Sequence, residues 1–113
     1  MTREELLVRL NEISELEDNW DYDGSGSIDK ETIENARKII TEFKNLPYFI
    51  SPTPFGVQLE WENEKYYIEI EVEQSCDIDI FIMSHIKDTY ISKTIEFKDY
   101  MLVDSLIELF INR

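Results

Sequence analysis

The sequence predicts a two-layer α+β fold: two N-terminal helices, a four-stranded antiparallel meander, and a C-terminal helix closing over the same face of the sheet. Three observations carry this reading. Apolar residues recur at helical spacing before Pro47, alternate with polar ones after Phe55, and crowd together again in residues 99–112. At 113 residues the chain has the length of one domain, so residues 1–113 read as a single acidic α+β domain. A hydrophobic content of 42% beside 32% charged residues is enough to bury a core and excludes a disordered chain.

The first helix is expected over residues 3–17, where Leu6, Leu7, Leu10, Ile13 and Leu16 recur at helical spacing with charged residues between them. The second runs over 30–46 on a stripe of Ile33, Ala36, Ile39, Ile40 and Phe43, and Pro47 closes it. ISPTP, residues 50–54, reads as an extended connector stiffened by Pro52 and Pro54. In GVQLEWENEKYYIEIEVE, residues 56–73, a hairpin with Asn63 and Glu64 in its turn pairs Trp61 with Tyr66, Leu59 with Ile68 and Val57 with Ile70. A second hairpin, turning near Gln74 to Cys76, sets Val72 opposite Ile78, Ile70 opposite Ile80 and Ile68 opposite Ile82. A fourth strand over 89–97 turns Ile91, Ile95 and Phe97 inward, and the last helix occupies 99–112. The large apolar strand residues then share one face, and the other face is left to water.

The formal charge of −14, from 25 acidic against 11 basic residues, is the strongest global signal. It disfavours direct contact with nucleic-acid phosphates or an anionic membrane, both of which call for basic patches, and it favours a basic partner. No apolar run approaches the ~20 residues needed to span a bilayer. The lone Cys76 has no partner for an internal disulfide and MTREELL lacks the apolar segment of a signal peptide, so a cytoplasmic location is expected.

Residues 18–33, DNWDYDGSGSIDKETI, look like the calcium loop of an EF-hand, which offers oxygens from positions 1, 3, 5, 7 and 9 and a bidentate glutamate from position 12, with glycine at 6. Counted from Asp21, the residues Asp23, Ser25, Gly26, Ile28 and Asp29 all fall into place. Position 12 is Thr32, however, and Glu31 is one residue early, which on a helix turns its side chain by about 100°. A reading without metal uses the same residues: Asp29 caps the second helix, Ile28 staples onto Ile33, and Gly24 and Gly26 serve a tight turn. This second reading is the expected one. The alternative is a calcium site at Asp21, Asp23, Ser25 and Asp29, or a small-ligand pocket at Trp20 and Asp21. No cofactor is expected.

NWDYDGSGSI (19–28) and ISPTPFGVQLEW (50–61) together resemble a family of small bacterial and phage proteins. Its members read N-W-D-G-x-G-A-x-P-I, then a helix, then S-P-T-P-x-G-G-x-x-L-E-W and an alternating strand. The resemblance runs in order from about Leu16 to Ile70, half of the chain, and its Trp and SPTP positions make it specific. Tyr22-Asp23, Ser25 and Ser27 depart from the pattern, and those departures create the EF-hand look. The family is largely uncharacterised. The resemblance implies a bacterial or phage setting and a small accessory role, and brings no catalytic residue.

No phosphate-binding glycine loop, HExxH or paired-cysteine motif occurs. Ser84 and His85, as strand neighbours, point to opposite faces and do not make a nucleophile and its base. Glu73 and Asp77 near Cys76 raise a thiol's pKa and keep its thiolate scarce. Trp20, Trp61 and Tyr66 read as core or core-edge aromatics. The chain is therefore expected not to be an enzyme.

The outer face of the sheet departs from the ordinary. The expected register sets Glu73 opposite Asp77 and Glu71 opposite Asp79, with Gln58 and Phe81 flanking Glu69, and like charges in opposition destabilise a sheet. Lys65 and Lys93 are the basic residues expected nearby. Acidic strands can serve merely to block aggregation. The functional reading is that Glu60, Glu69, Glu71, Glu73, Asp77 and Asp79 form a docking face for a basic protein, with Tyr67 and Phe81 as apolar anchors. The expected function is a non-enzymatic protein-binding module: an inhibitor, an antitoxin-like protein or a phage anti-defence factor, with nucleic-acid mimicry as one physical form. The apolar C-terminal helix predicts a homodimer.

Overall fold

A computed structural model describes residues 1–112. Helix α1 (Arg3–Ser14) begins in a reciprocal cap: the Glu5 N–H donates to Thr2 Oγ1 at 3.1 Å and the Thr2 N–H donates to the Glu5 carboxylate at 2.9 Å. It buries Leu6, Leu10 and Ile13. Helix α2 (Lys30–Glu42) starts on Asp29, which accepts the Thr32 N–H at 2.8 Å as the sequence suggested, and buries Ile33, Ala36, Ile39 and Ile40.

Both helices stop short of the expected 3–17 and 30–46. For α2 the cause is tertiary. Asp104, from the C-terminal helix, accepts the backbone N–H groups of Lys44 and Asn45, each at 3.1 Å, so the chain leaves the helix at Phe43 to reach it. The Arg3 guanidinium donates to the carbonyls of Ile40 and Phe43, both at 3.0 Å, and supplies donors that the end of a helix otherwise lacks.

The sheet has five antiparallel strands in sequential order rather than four: β1 (Phe49–Thr53), β2 (Gly56–Glu62), β3 (Tyr66–Glu73), β4 (Asp77–Ser84) and β5 (Thr89–Glu96). The added strand is the ISPTP segment, which pairs with β2 (Ile50 opposite Leu59) instead of running free. Proline is tolerated there because β1 is an edge.

The β2–β3 register is shifted by two residues from expectation, with Trp61 opposite Ile68, Leu59 opposite Ile70 and Val57 opposite Val72. The turn is longer than two residues because Asn63 Oδ1 accepts the N–H groups of Lys65 and Tyr66 at 2.8 and 2.7 Å, while its amide donates to the carbonyls of Phe110 and Ile111. A shift of two preserves which face each side chain takes. The β3–β4 register is as expected: Val72 opposite Ile78, Ile70 opposite Ile80, Ile68 opposite Ile82.

Phe97 leaves the fourth expected strand for a 3-10 turn (Phe97–Asp99) that leads into α3 (Met101–Phe110), a shorter helix than the expected 99–112. Ile95 and Phe97 are partly buried, but Ile91 is 63% exposed and not inward-packed. The helices pack mainly on the other strands, α1 on β1 and α2 on β2 and β3. Val103 and Ile107 of α3 join the core, while Met101, Leu102 and Leu109 stay exposed. Among the described residues no helix is long and apolar enough to cross a membrane.

Candidate functional site

Strict alternation in β3 and β4 builds the outer face. Ile68, Ile70 and Val72 of YYIEIEVE and Ile78, Ile80 and Ile82 of DIDIFIMS are buried, which leaves Tyr67, Glu69, Glu71, Glu73, Asp77, Asp79 and Phe81 on the other side, partly exposed. Glu71 lies between Gln58 and Asp79, and Glu69 between Glu60 and Phe81. The flank of Glu69 is thus Glu60 and not Gln58, a direct result of the two-residue shift, and it adds an opposed carboxylate pair that the sequence reading lacked. Glu73 sits opposite Gly56 and Asp77 opposite Glu96.

Lys93, expected near this face, lies opposite buried Ile80 and so belongs to the inner side, while Lys65 stands in the β2–β3 turn. Among the described residues the ion pairs of Lys and Arg are Arg37 with Glu34, Lys44 with Glu108, and Lys98 with Glu96. None of them touches Glu60, Glu69, Glu71, Glu73, Asp77 or Asp79. The outer positions of β5 opposite this patch are Tyr90, Ser92 and Thr94, set against Met83, Phe81 and Asp79. Sequence reasoning missed them; carrying the β4 alternation across to TYISKTIE would have found them.

Carboxylate oxygens of Glu71, Glu73 and Asp79 all lie within 4.8 Å of one another. Two full charges about 5 Å apart repel by about 1 kcal/mol in water and about 3 kcal/mol at an effective dielectric constant near 20. A proton relieves this. Glu73 is pushed up to about 7, first by a hydrogen bond shared with Asp79, then by partial burial, then by the charges of Asp79, Glu71 and Asp77. Thr94 Oγ1 donates to Asp79 at 2.5 Å. The Tyr67 hydroxyl donates to Glu69 at 2.9 Å and to Glu60, and burial followed by these two contacts holds its pKa well above the ordinary phenol value. Tyr67 therefore stays a neutral bridge between the two side chains.

The linkage has a definite sign. A carboxyl whose folded pKa is raised from 4.5 to about 7 adds stability that is complete at low pH and lost as pH rises through that interval. Glu73→Gln is expected to remove this slope: in denaturant titrations the variant gains roughly 1 kcal/mol over the parent at about pH 8 and little at about pH 5, a figure discounted for solvent screening. Equal stability differences at both pH values would refute the shared proton.

The outer face also holds a groove of about 310 Å³, walled by Gln58, Glu69, Glu71, Asp79, Phe81, Ser92 and Thr94. It has carboxylate and hydroxyl oxygens on its sides and one aromatic ring. Its chemistry suits donors: ammonium or guanidinium groups that replace the N–H partners these oxygens lack.

The loop over residues 18–29 is closed on itself. Asp21 accepts the N–H groups of Asp23 and Ser25 at 3.0 and 3.2 Å and the Ser25 hydroxyl at 2.5 Å, which together draw its pKa below the usual carboxylate range, the hydroxyl contact most strongly. Asp18 accepts from Ser27 N–H, Asn19 from Gly24 N–H, and Asp29 from Thr32 N–H. Among the described residues no three acidic groups of this loop converge within 4.8 Å. Asp21 has both oxygens occupied within the loop, one by backbone N–H groups and one by the Ser25 hydroxyl. Trp20 lies beside Asp21 and donates its indole N–H to Gly26 O at 2.9 Å, closing the loop.

Trp61 is buried, with its indole N–H on Asn45 O at 3.0 Å, and Tyr66 packs edge-on against Phe110. The Cys76 thiol donates to Glu31 at 3.2 Å, and that contact, ahead of Asp29 and Asp77, raises its pKa. His85 sits just beyond β4, 2.8 Å from Glu62.

Compared with protein-family models, curated proteins and solved structures, the chain matches none.

Proposed function

We propose that this protein is a non-enzymatic binding module whose outer sheet face docks on a basic protein surface. Its biological form is that of an inhibitor, antitoxin-like protein or phage anti-defence factor. The observation that carries the reading is the gathering of Glu60, Glu69, Glu71, Glu73, Asp77 and Asp79 on one open face, with none of them in an ion pair to a Lys or Arg among the described residues. Opposed like charges lower the stability of the isolated domain, and a cationic partner turns the same charges into attraction. Tyr67 and Phe81, in edge-to-face contact at 6.4 Å, supply the apolar part that a charged rim alone does not.

Affinity capture with the purified protein tests this. At low ionic strength it is expected to retain proteins of high isoelectric point, and salt near 0.5 M, where the Debye length falls to about 4 Å, is expected to release them. If the partner is a nucleic-acid-binding protein, duplex DNA competes for it. Retention that ignores both salt and the partner's charge would overturn the proposal.

A further inference from the structure

Beside the carboxylates of the outer face runs a row of three aromatic rings, one from each of β3, β4 and β5. Phe81 stands between Tyr67, at 6.4 Å and 64°, and Tyr90, at 5.5 Å and 31°. Tyr90 is 69% exposed, an unusual position for a large ring on a strand with nothing above it. Phe81 is at once the middle of this row and a wall of the acidic groove, directly opposite Glu69 on one side and Ser92 on the other. The short side chains of Ser92 and Thr94 keep the β5 side of the groove low.

Carboxylates next to an open aromatic plane distinguish between the two protein cations. A guanidinium is flat and weakly hydrated; it stacks on a ring while its N–H fork meets a carboxylate edge-on. An ammonium is a compact, strongly hydrated point charge that gains from the carboxylates but much less from the ring. Because the outer face offers both features side by side and, among the described residues, no lysine or arginine in an ion pair with its carboxylates, we propose that the occupant of this face is an arginine-rich segment of the partner protein, its guanidinium groups stacked on Phe81 and Tyr90 and paired with Glu69, Glu71 and Asp79. This inference rests on the docking reading above and narrows it.

The test uses the intact protein and two synthetic probes of equal charge, nona-arginine and nona-lysine, titrated at matched ionic strength. Nona-arginine is expected to bind at least about tenfold more tightly. Phe81→Leu, and separately Tyr90→Leu at the exposed end of the row, are expected to bring that ratio within about twofold while both probes still bind; circular dichroism checks that each variant is folded. Equal affinities in the parent would overturn the arginine preference and leave the docking reading standing. A ratio that survives both substitutions would overturn the stacking. Failure of both probes to bind at low salt would overturn this inference and the docking reading together.

Discussion

Reversing Glu71 and Asp79 together, Glu71→Lys with Asp79→Lys, is expected to weaken docking on a basic partner by at least about 100-fold, since unmaking buried or half-buried charge pairs typically costs 2–5 kcal/mol. The two residues face each other across β3 and β4 at the centre of the patch and share the groove. The fold itself is expected to gain. In the parent, Glu71 is crowded by Glu73 and Asp79; after reversal the ammonium groups lie among Glu69, Glu73 and Asp77. Relief of that repulsion is worth about 1 kcal/mol, a rise of roughly 4 °C in Tm for a domain of this size. Loss of binding with a gain in stability separates a docking defect from misfolding. The same charge change made on α1, at exposed Glu4 and Glu12, is expected to leave docking largely intact. If the reversed protein binds as the parent does, the outer face is not where the partner sits.

Gly56→Ala is expected to be the most damaging single substitution to the fold, at about 3 kcal/mol or more, the upper range for overpacking a core. An added Cβ would lie 1.9 Å from the Val72 carbonyl oxygen, 2.9 Å from its carbon and 3.1 Å from Glu73 Cα. All three are backbone atoms of β3, so no rotamer change gives room. The strands must part at the Gly56–Glu73 pair, which opens the β2–β3 ladder where Val57 and Val72 are fully buried. Glu73 moves with the ladder, so the variant is also expected to lose the pH slope of the parent. Urea denaturation measures the effect, and a loss under about 1 kcal/mol would mean the two strands are not so closely apposed.

How much of this was readable beforehand depended on whether local pattern or distant contact set each feature. The face taken by each β3 and β4 residue was legible because side chains alternate with a period of two, and burying Ile68, Ile70, Val72, Ile78, Ile80 and Ile82 leaves their neighbours outside under any shift by an even number of residues. The opposition of Glu71 and Asp79 followed from the short turn at Gln74 to Cys76, and Asp29 was legible as a cap from its position before the helical stripe. The pairing of Glu60 with Glu69 was not, because the turn that sets it is lengthened by Asn63, whose amide also holds the end of α3. Lys93 was misplaced although it was legible: standing between Ile91 and Ile95, both expected inward, it shares their inner side by the period of two. Asp21 and its neighbours read either way in the sequence, because a loop that caps itself and a loop that binds calcium call for the same oxygens.

By itself the sequence determined the two kinds of element, the division of each strand into a buried and an acidic side, and the excess of negative charge, since all three follow from residue type and spacing along the chain. The tertiary structure alone decided that β1 joins the sheet, that Ile91 goes uncovered, that α2 ends at Glu42 just before the contacts to Asp104, and that no lysine or arginine among the described residues forms an ion pair with the outer carboxylates. These features depend on which distant segments meet and how completely one layer covers another, and a spacing rule holds no information about either.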